Sequence, residues 1–438
     1  MMTLYRSRYL VPVSSPALEQ GAIVVENGRI IAVGAASTLE TRYPQCQHHD
    51  YGDAILLPAF VNAHTHLELS HYFQWNTAWA EKTGKDVDLG AGAGFVDWIL
   101  RLIQVKIDRG TDIEQYRQAW HTGLQQAFAT GTGQLGDILA TTDLAAEAAH
   151  HLLGRCFIEV IGQDPIRANR QLQQVEDSID LWPDAHFGAA PHSFYSLSYE
   201  LLKLCYRQCN TYSGGQPIRT SIHIAESPDE VEFLATSSGP IADQLYPFVG
   251  LQQHVPAPRN IRSLQLLEQV GGLHADTLLV HGVHLNQQEI TQVAAAGCSM
   301  VLCPRSNAQL NVGVAPAAQY LRAGVPLALG TDSLASNDSL SLWDEMEFAL
   351  GWFNGDLSPQ QLLHMCTLGG ARALHGDCGN NGVSSGQLAV GAPATFQVVQ
   401  PGSLPSLNQI YPFLCRSGRS NEVQHVVVDG VSRFIAGG

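Results

Sequence analysis

The sequence has few basic residues and no basic run. Its 438 residues include 24 lysines and arginines against 40 aspartates and glutamates, which gives a net charge of −16. Binding to a phosphate backbone depends on clustered lysine and arginine side chains. We therefore expect neither nucleic acid nor an anionic membrane surface to be a partner of this protein.

Long apolar runs and a leader segment are also missing. The longest apolar runs, such as residues 54–63, are well short of the ~18 residues that a membrane span requires. The first residues lack the apolar region of a signal peptide. The sequence thus predicts a protein of the cytoplasm that does not enter a membrane.

The cysteines form no recognisable framework. Nine of them are scattered along the chain, and no Cys-x-x-Cys pair occurs. An odd number without pair spacing argues against disulfides and against a cysteine metal site. We expect reduced thiols in the core.

The middle of the sequence alternates short apolar strands with helical stretches. Eight strands are predicted at residues 55–61, 133–138, 155–161, 186–190, 219–224, 277–283, 299–303 and 326–330. Repeated strand and helix units predict a parallel sheet, and eight of them fit a (β/α)₈ barrel of the TIM type. We assign this barrel domain to residues 58–380.

The two ends of the chain have a different pattern, in which pairs of apolar strands flank tight turns. Asn27-Gly28 and Asp429-Gly430 stand between such strands, and these dipeptides are typical of β-hairpins. We therefore predict a small β-sandwich domain that both termini form together, from residues 1–57 and 381–438.

Histidines and an aspartate stand at the carboxyl ends of several predicted strands. His64 and His66 follow the first strand, His223 ends the fifth and Asp332 follows the eighth. A His-x-His pair alone is weak evidence among 18 histidines, and any one of these residues could be a hydrogen-bonded core residue. In a barrel, however, these strand ends meet at one face. Three imidazoles and one carboxylate suit one divalent ion, Zn²⁺ or else Fe²⁺.

Two further residues at the strand ends indicate what such an ion would do. The ion would lower the pKa of a bound water from ~15.7 toward ~7 and supply hydroxide at neutral pH. Glu226, three residues after His223, is placed to transfer the proton. His281, at the sixth strand, is free to hydrogen-bond the same water or the oxygen that develops negative charge. In this interpretation Asp332 both binds the metal and accepts a proton.

Four segments together resemble the amidohydrolase superfamily. They read LPAFVNAHTH (57–66), HIAE (223–226), CPRSN (303–307) and GTDSLASN (330–337). Within the superfamily they are similar to the branch of cytosine, adenosine-type and aminofutalosine deaminases and triazine hydrolases. The resemblance covers nearly the whole chain and implies one metal ion on the residues named above. It also implies Glu226 as proton shuttle, His281 as a polarising group, and a homodimer.

The residue at the end of strand four distinguishes this chain from the two-metal members of the superfamily. Relatives with two metals carry a bridging carboxylated lysine at the end of strand four, where this chain has His192 and no lysine. The resemblance therefore implies a single metal, and deamination rather than hydrolysis of a cyclic amide or a phosphotriester.

Five residues are candidates for contact with a substrate. The resemblance implies that role for His192. Trp75 lies in a long insertion, where its ring could stack on a heterocycle or simply pack the loop. Glu68 could accept hydrogen bonds from substrate or anchor a neighbouring loop, and Arg305 could bind an anionic group or brace its own loop through an ion pair. Ser333 follows Asp332, where it could contact the substrate or orient that carboxylate.

The predicted activity is hydrolytic deamination of an amino-substituted nitrogen heterocycle, free or within a nucleoside, with release of ammonia. The metal site alone is equally suited to another leaving group, such as chloride or an amide nitrogen. A barrel that only binds or scaffolds is a third possibility. A barrel without catalytic activity is expected to have lost a metal ligand. This sequence retains all four candidate ligands and the candidate proton shuttle, which argues against that possibility.

Overall fold

The computed structural model describes residues 2–90, 93–110, 112–152, 154–183, 185–376 and 385–437. Their strands are β1 (Met2–Leu10), β2 (Leu18–Glu26), β3 (Arg29–Ala35), β4 (Gln47–Asp50), β5 (Ile55–Pro58), β6 (Phe60–Thr65), β7 (Thr132–Leu139), β8 (Gly154–Val160), β9 (Phe187–Pro191), β10 (Thr220–Ile224), β11 (Thr277–His281), β12 (Ser299–Leu302), β13 (Leu327–Leu329), β14 (Phe396–Val399), β15 (Val423–Val428) and β16 (Val431–Ile435). They form two separate sheets, one from the ends of the chain and one from its middle.

The helices lie mainly between the strands of the middle sheet. They are α1 (Ala36–Arg42), α2 (Tyr72–Thr83), α3 (Phe95–Arg109), α4 (Ile113–Ala129), α5 (Ala145–His151), α6 (Pro165–Leu181), α7 (Tyr199–Asn210), α8 (Pro228–Thr236), α9 (Tyr246–Phe248), α10 (Ser263–Gln269), α11 (Gln287–Ala296), α12 (Pro304–Gln309), α13 (Ala317–Ala323), α14 (Leu342–Trp352), α15 (Pro359–His364), α16 (Gly370–His375) and α17 (Ile410–Leu414). None of the helices in the described ranges has both the length and the apolar character that crossing a membrane needs.

The terminal sheet joins strands from both ends of the chain. Its order is β16-β15-β14-β5-β1-β2-β3, and β4 pairs with β1. Apolar side chains such as Leu10, Ile23 and Phe396 form a core that belongs to this sheet alone. The predicted domain from both termini is thus confirmed, and its strands form one connected sheet.

The two predicted hairpin turns lie against each other. Asn27, Gly28, Asp429 and Gly430 all have a positive φ, as hairpin turns of two residues require. A Cβ atom on Gly28 would lie 2.6 Å from the carbonyl oxygen of Asp429. Only glycine therefore permits this contact between the two ends of the chain.

The middle sheet is the predicted (β/α)₈ barrel. Strands β6 to β13 follow one another in chain order, and every pair between neighbours is parallel. A bridge between Thr65 and Asp332 joins the first strand to the end of the last. Side chains from the strands and from α16, among them Val280, Ala371 and Leu374, fill the interior. The polar residues of the strand ends lie beyond this apolar filling.

The first predicted strand, over residues 55–61, is two strands in the structure. Ile55–Pro58 pairs with β1 and β14 in the terminal sheet, and Phe60–Thr65 begins the barrel beside β7. Both strands are fully buried, so the sequence shows one uninterrupted apolar run across the boundary. Pro58 has no N–H for a sheet ladder, which fits its place at the end of a strand.

The expectation for the cysteines is confirmed for the described ones. Eight are buried and form no disulfide. Cys378 lies outside the described residues.

Asn62 and Thr331 lock the closure of the barrel. The Asn62 side-chain amide donates to Thr331 Oγ1 (2.8 Å), and the Thr331 backbone N–H donates to Asn62 Oδ1 (3.1 Å). Both residues are fully buried. Asn62→Leu keeps the branched shape of the side chain but leaves the Thr331 backbone N–H without its partner, while Thr331 Oγ1 keeps only the Asp332 carbonyl oxygen at 3.3 Å. We expect it to lower the free energy of unfolding, measured in urea, by about 1–3 kcal/mol.

Asn421→Leu is the matched control for this experiment, because Asn421 is exposed. It should change the free energy of unfolding by less than about 0.5 kcal/mol. Equal effects of the two substitutions would contradict the closure role of Asn62.

Candidate active site

Three histidines from two barrel strands point at one position. His64 and His66 belong to the end of β6 and His223 to β10, and one ring nitrogen of each lies within 4.8 Å of the others. Asp332 Oδ1 is 3.6 Å from His64 Nε2 and 3.7 Å from His66 Nε2. The barrel therefore brings together the four residues that the sequence pattern singled out.

Neighbouring groups fix the direction of these side chains. The carbonyl oxygen of His192 lies 2.8 Å from His223 Nδ1 and so leaves Nε2 to face the other imidazoles. Ser306 and Ser336 donate their hydroxyls to Asp332 Oδ2 at 2.7 and 2.9 Å. Oδ1 remains directed at the histidines. Partners of this kind commonly orient the ligands of a metal ion.

The unpaired polar atoms of this group test whether it fits a metal. Both ring nitrogens of His64 are buried without a hydrogen-bond partner, which is rare for buried polar groups. Burial lowers the pKa of His66 and of His223 well below the ordinary value, and neighbouring imidazoles lower it further. The rings of His66 and His223 are therefore neutral, as metal ligands must be. Three nitrogens and one carboxylate oxygen fit a borderline divalent cation.

The backbone is strained at three strand ends of the site. Ala225, His281 and Asp332 have φ values of 49°, 72° and 59°. A left-handed conformation at a residue other than glycine costs about 1–3 kcal/mol and is concentrated at functional sites. His281 is also the last residue of β11, which ends two residues earlier than the sequence pattern predicts.

Glu226 and His281 form a second pair beside the ligand group. Glu226 Oε1 lies 3.5 Å from His281 Nε2, and Asn307 Oδ1 lies 3.0 Å from His281 Nδ1 and holds the ring. Glu230 accepts the backbone N–H groups of Ala225 and Glu226 and so fixes the turn after β10. Burial, together with the charges of Asp332 and Glu230, raises the pKa of Glu226 well above its ordinary value. Its carboxyl group is suited to hold a proton and release it.

His66, His223, Asp332, Glu226 and His281 open into one cavity of about 790 Å³, whereas His64 lies behind its lining. The lining also contains several further polar residues and an apolar wall. The residues are His66, Glu68, Leu69, Phe95, Trp98, Ile99, Leu102, Ile103, Lys106, Ala140, Glu159, Ile161, Gly162, Gln163, Asp164, His192, Tyr195, Ser196, His223, Glu226, Leu245, Tyr246, Val249, Leu251, His254, His281, Asp332 and Ser333. A cavity of this size accommodates a small organic molecule.

Three of the five predicted substrate contacts line this cavity and two do not. His192, Glu68 and Ser333 are in its lining. Trp75 is instead buried in an apolar cluster of α2, α3 and α4, where its ring lies 5.4 Å from that of Tyr116. The insertion that contains Trp75 folds into a helix and turns its apolar face to its neighbours, so the ring packs there.

Arg305 also points away from the cavity. Its side chain donates to Asn337 Oδ1 at 3.1 Å and pairs with Asp338 and Glu345. Asn337 in turn donates to the carbonyl oxygen of Thr331, beside the ligand Asp332. Arg305 therefore braces its loop, the second of the two roles considered for it.

Trp98, Lys106 and Glu159 line the cavity although the sequence did not single them out for the site. Trp98 and Lys106 lie on the face of α3 that also carries Phe95, Ile99 and Leu102, so Lys106 continues an apolar stripe at helical spacing. Glu159 is two residues beyond the inward-facing Phe157 of β8. The helical spacing on α3 and the alternation of side chains along β8 were the sequence signals that could have indicated Lys106 and Glu159.

The amidohydrolase family model matches residues 55–432, so the chain belongs to the amidohydrolase family, whose members are metal-dependent enzymes. The resemblance drawn from the four motifs is thereby confirmed. An imidazolonepropionase-like composite domain of bacteria also matches residues 21–45, within the terminal sheet.

Relatives of known name extend over most of the chain. An aminodeoxyfutalosine deaminase of Deinococcus radiodurans is 30% identical over 82% of this chain and 82% of its own. A 5-methylthioadenosine/S-adenosylhomocysteine deaminase of Syntrophobacter fumaroxidans is 28% identical over 94% of this chain and 87% of its own. The aminofutalosine deaminase of Helicobacter pylori, solved with methylthio-coformycin, has the same fold, with a TM-score of 0.80, 20% identity, and coverage of 99% and 100% of the two chains.

Asp332→Asn tests the ligand group directly. The substitution keeps the size of the side chain but removes the negative charge that faces His64 and His66. We expect metal affinity, measured by metal analysis after dialysis against graded chelator, to fall by about 10- to 100-fold, the range seen when even an orienting partner is lost. Asp338→Asn is the control, since the Asp338 side chain is 78% exposed. Unchanged metal content in Asp332→Asn would show that this carboxylate is not a ligand.

Proposed function

We propose that this protein is a hydrolytic deaminase of an amino-substituted nitrogen heterocycle, free or within a nucleoside. The observation that carries the proposal is the pairing of Glu226 with His281, 3.5 Å apart, beside a ligand group of three histidines and Asp332 in one cavity. The two relatives described above, both named as deaminases and each matching more than four fifths of this chain, support it.

We propose zinc as the ion, held by His64, His66, His223 and Asp332, because histidine nitrogens and a carboxylate oxygen are ligands typical of zinc. Iron(II) is compatible with the same donors. When bound, such an ion polarises an oxygen ligand and lowers the pKa of water. The protein side chains have separate tasks.

Glu226 is the proton carrier in this mechanism. Water gives one proton to the Glu226 carboxylate and adds its oxygen to the ring carbon that bears the amine, and the Glu226 carboxyl group delivers that proton to the adjacent ring nitrogen. The remaining proton of the new hydroxyl group then passes through Glu226 to the amine, the carbon–nitrogen bond breaks, and ammonia leaves as the carbonyl forms. The Nδ1–H of the neutral His281 ring donates to Asn307 Oδ1, so His281 Nε2, buried and without a hydrogen-bond partner, is positioned to accept a hydrogen bond from the attacking water or from the hydroxyl group of the adduct.

The position of Glu226 supports an amine as the leaving group. An amine must be protonated to leave as ammonia, whereas chloride leaves without a proton. The Glu226 carboxyl group, 3.5 Å from His281 Nε2 in the cavity, is placed to deliver that proton, and burial raises its pKa above the ordinary value.

The remaining assignments are also proposals. We infer that His192, Glu68 and Ser333 contact the substrate, because all three line the cavity. A homodimer, implied by the family resemblance, and a cytoplasmic location stay predictions from the sequence.

The proposed reaction is tested by direct detection of ammonia. Zinc-loaded protein is incubated with adenosine, 5-methylthioadenosine, adenine, guanine and cytosine, and ammonia is measured with a coupled dehydrogenase. We expect release from at least one adenosine-type compound, its loss on chelation, and its recovery on addition of zinc. If the loaded protein releases no ammonia from any of these compounds, deamination is excluded for them and the proposal fails.

Glu226→Gln separates proton transfer from metal binding. The amide retains the size of the side chain but cannot deliver a proton, so we expect kcat to fall by about 10²- to 10⁴-fold with unchanged metal content. Glu268→Gln makes the same chemical change at an exposed position and should leave both quantities unchanged. A rate for Glu226→Gln near that of the unaltered protein would eliminate the shuttle role.

A further inference from the structure

A second polar cluster lines the cavity beside the metal site. It consists of Glu68, Lys106, Glu159 and His192. Lys106 Nζ lies 3.7 Å from Glu68 Oε1, and His192 Nε2 lies 4.0 Å from Glu159 Oε1. The rings of His192 and His223 are 4.8 Å apart between centroids, so the cluster begins next to a metal ligand. Glu68, Glu159 and His192 lie at the ends of β6, β8 and β9, and Lys106 lies on α3. Glu226 and His281 follow β10 and β11.

The cluster is held in place and faces the cavity. The backbone N–H of Ala140 donates to Glu68 Oε2 at 3.0 Å, which leaves Oε1 toward Lys106. The Lys106 side chain is 34% exposed, and that surface lines the cavity. Burial opposes its charge, but the carboxylates of Glu68 and Glu159 outweigh burial and raise the pKa of Lys106. Lys106 therefore presents a charged donor beside Glu68 in a cavity that Glu159 also lines.

The charge of the cavity argues against an anionic ligand for this cluster. Five carboxyl groups line the cavity, those of Glu68, Glu159, Asp164, Glu226 and Asp332. Among the described lining residues Lys106 is the only lysine or arginine. A divalent ion at the metal site would leave the balance negative. A phosphate or carboxylate on the substrate would thus meet repulsion rather than a free cation.

Hydroxyl groups match the cluster better than ions do. A carboxylate accepts the proton of a hydroxyl, and an ammonium group donates to the oxygen of the same hydroxyl. Two acceptors and one donor can bind two adjacent hydroxyls together. In nucleotide-binding folds, an acidic side chain binds the ribose hydroxyls in the same way.

The rest of the wall is apolar. Phe95, Trp98, Ile99, Leu102 and Ile103 of α3 extend along the cavity on the same helix as Lys106. A molecule with its reacting ring at the metal site and its hydroxyls at the cluster would have uncharged surface left to cover this wall.

We propose that Glu68, Lys106 and Glu159 bind the vicinal hydroxyl pair of a ribose. The substrate is accordingly a neutral nucleoside, rather than a free base or a nucleotide. This inference rests on the proposed deamination and specifies which class of amine the site selects.

The first test changes the substrate and leaves the protein unaltered. Values of kcat/KM are compared for adenosine, 2′,3′-dideoxyadenosine, adenine and adenosine monophosphate. Loss of hydrogen bonds to charged groups should reduce kcat/KM for the dideoxy compound by about 10- to 100-fold, with adenine and the monophosphate also below adenosine. A dideoxy value within threefold of adenosine, or preference for the monophosphate, overturns the assignment.

The second test changes the cluster. Glu159→Gln and Lys106→Met should each lower kcat/KM for adenosine by on the order of tenfold or more but leave the value for 2′,3′-dideoxyadenosine within about threefold. Asp164→Asn is the matched control, because it removes one exposed cavity carboxylate outside the cluster, and it should affect both compounds equally. Equal losses for both compounds in the cluster variants would mean a merely structural role.

Binding of the products distinguishes failure of this inference from failure of the proposed reaction. Calorimetry with inosine and 2′,3′-dideoxyinosine on the zinc-loaded protein needs no turnover. Tighter binding of inosine by tenfold or more supports the hydroxyl site even where no ammonia is released. Equal Kd values, or binding of neither compound, overturn the hydroxyl site even where ammonia release confirms deamination.

Discussion

The site depends on the closure of the barrel between its first and last strands. The backbone N–H of Asp332 donates to the carbonyl oxygen of His64 at 3.0 Å, and the side chain of Asn62 pairs with Thr331 just beneath it. These contacts bring a residue from near the end of the barrel sequence against one from its start. Parallel strands are joined only through long crossovers, so no local sequence feature could place these two residues together. Closure of the sheet brings Asp332 beside His64. The left-handed φ of 59° at Asp332 shows that the backbone is distorted at the point of closure.

Neighbouring polar groups hold His223, Asp332 and His281 in place. The carbonyl of His192 orients His223, Ser306 and Ser336 orient Asp332, and Asn307 orients His281. Within the site, His64 and His281 keep buried ring nitrogens without a hydrogen-bond partner. Unpaired buried atoms of this kind are a cost to folding, which a bound ion and a reacting oxygen would relieve. The same few unpaired atoms thus lower the stability of the fold and serve the proposed chemistry.

The sequence sufficed for the barrel and for the ligand group because both depend on simple periodicity. Strand ends meet at one face whatever their loops do, so His64, His66, His223 and Asp332 could be placed together in advance. The division between Ile55–Pro58 and Phe60–Thr65 could not, since a fully buried strand has no alternation to show where it changes sheets. Trp75 was wrongly included among the substrate contacts, and Lys106 was missed, for a related reason. Which face of a helix lines a cavity is set by tertiary packing, and there a tryptophan is easily covered while a lysine stem can lie along an apolar wall with its amine at a polar end.

Helix α3 connects the substrate wall to the metal site. The indole N–H of Trp98 donates to the carbonyl oxygen of Ala335 at 2.8 Å, and the next residue, Ser336, donates to Asp332 Oδ2. A ligand that contacts the apolar face of α3 therefore contacts a helix whose position is fixed to the loop that orients the Asp332 carboxylate. The same helix carries Lys106 to the polar cluster. The single helix α3 thus carries the apolar wall, Lys106 and the link to Asp332. The fit of the remote part of a substrate therefore affects the geometry at the reacting carbon. Binding energy gained along α3 can be used to position the reacting ring.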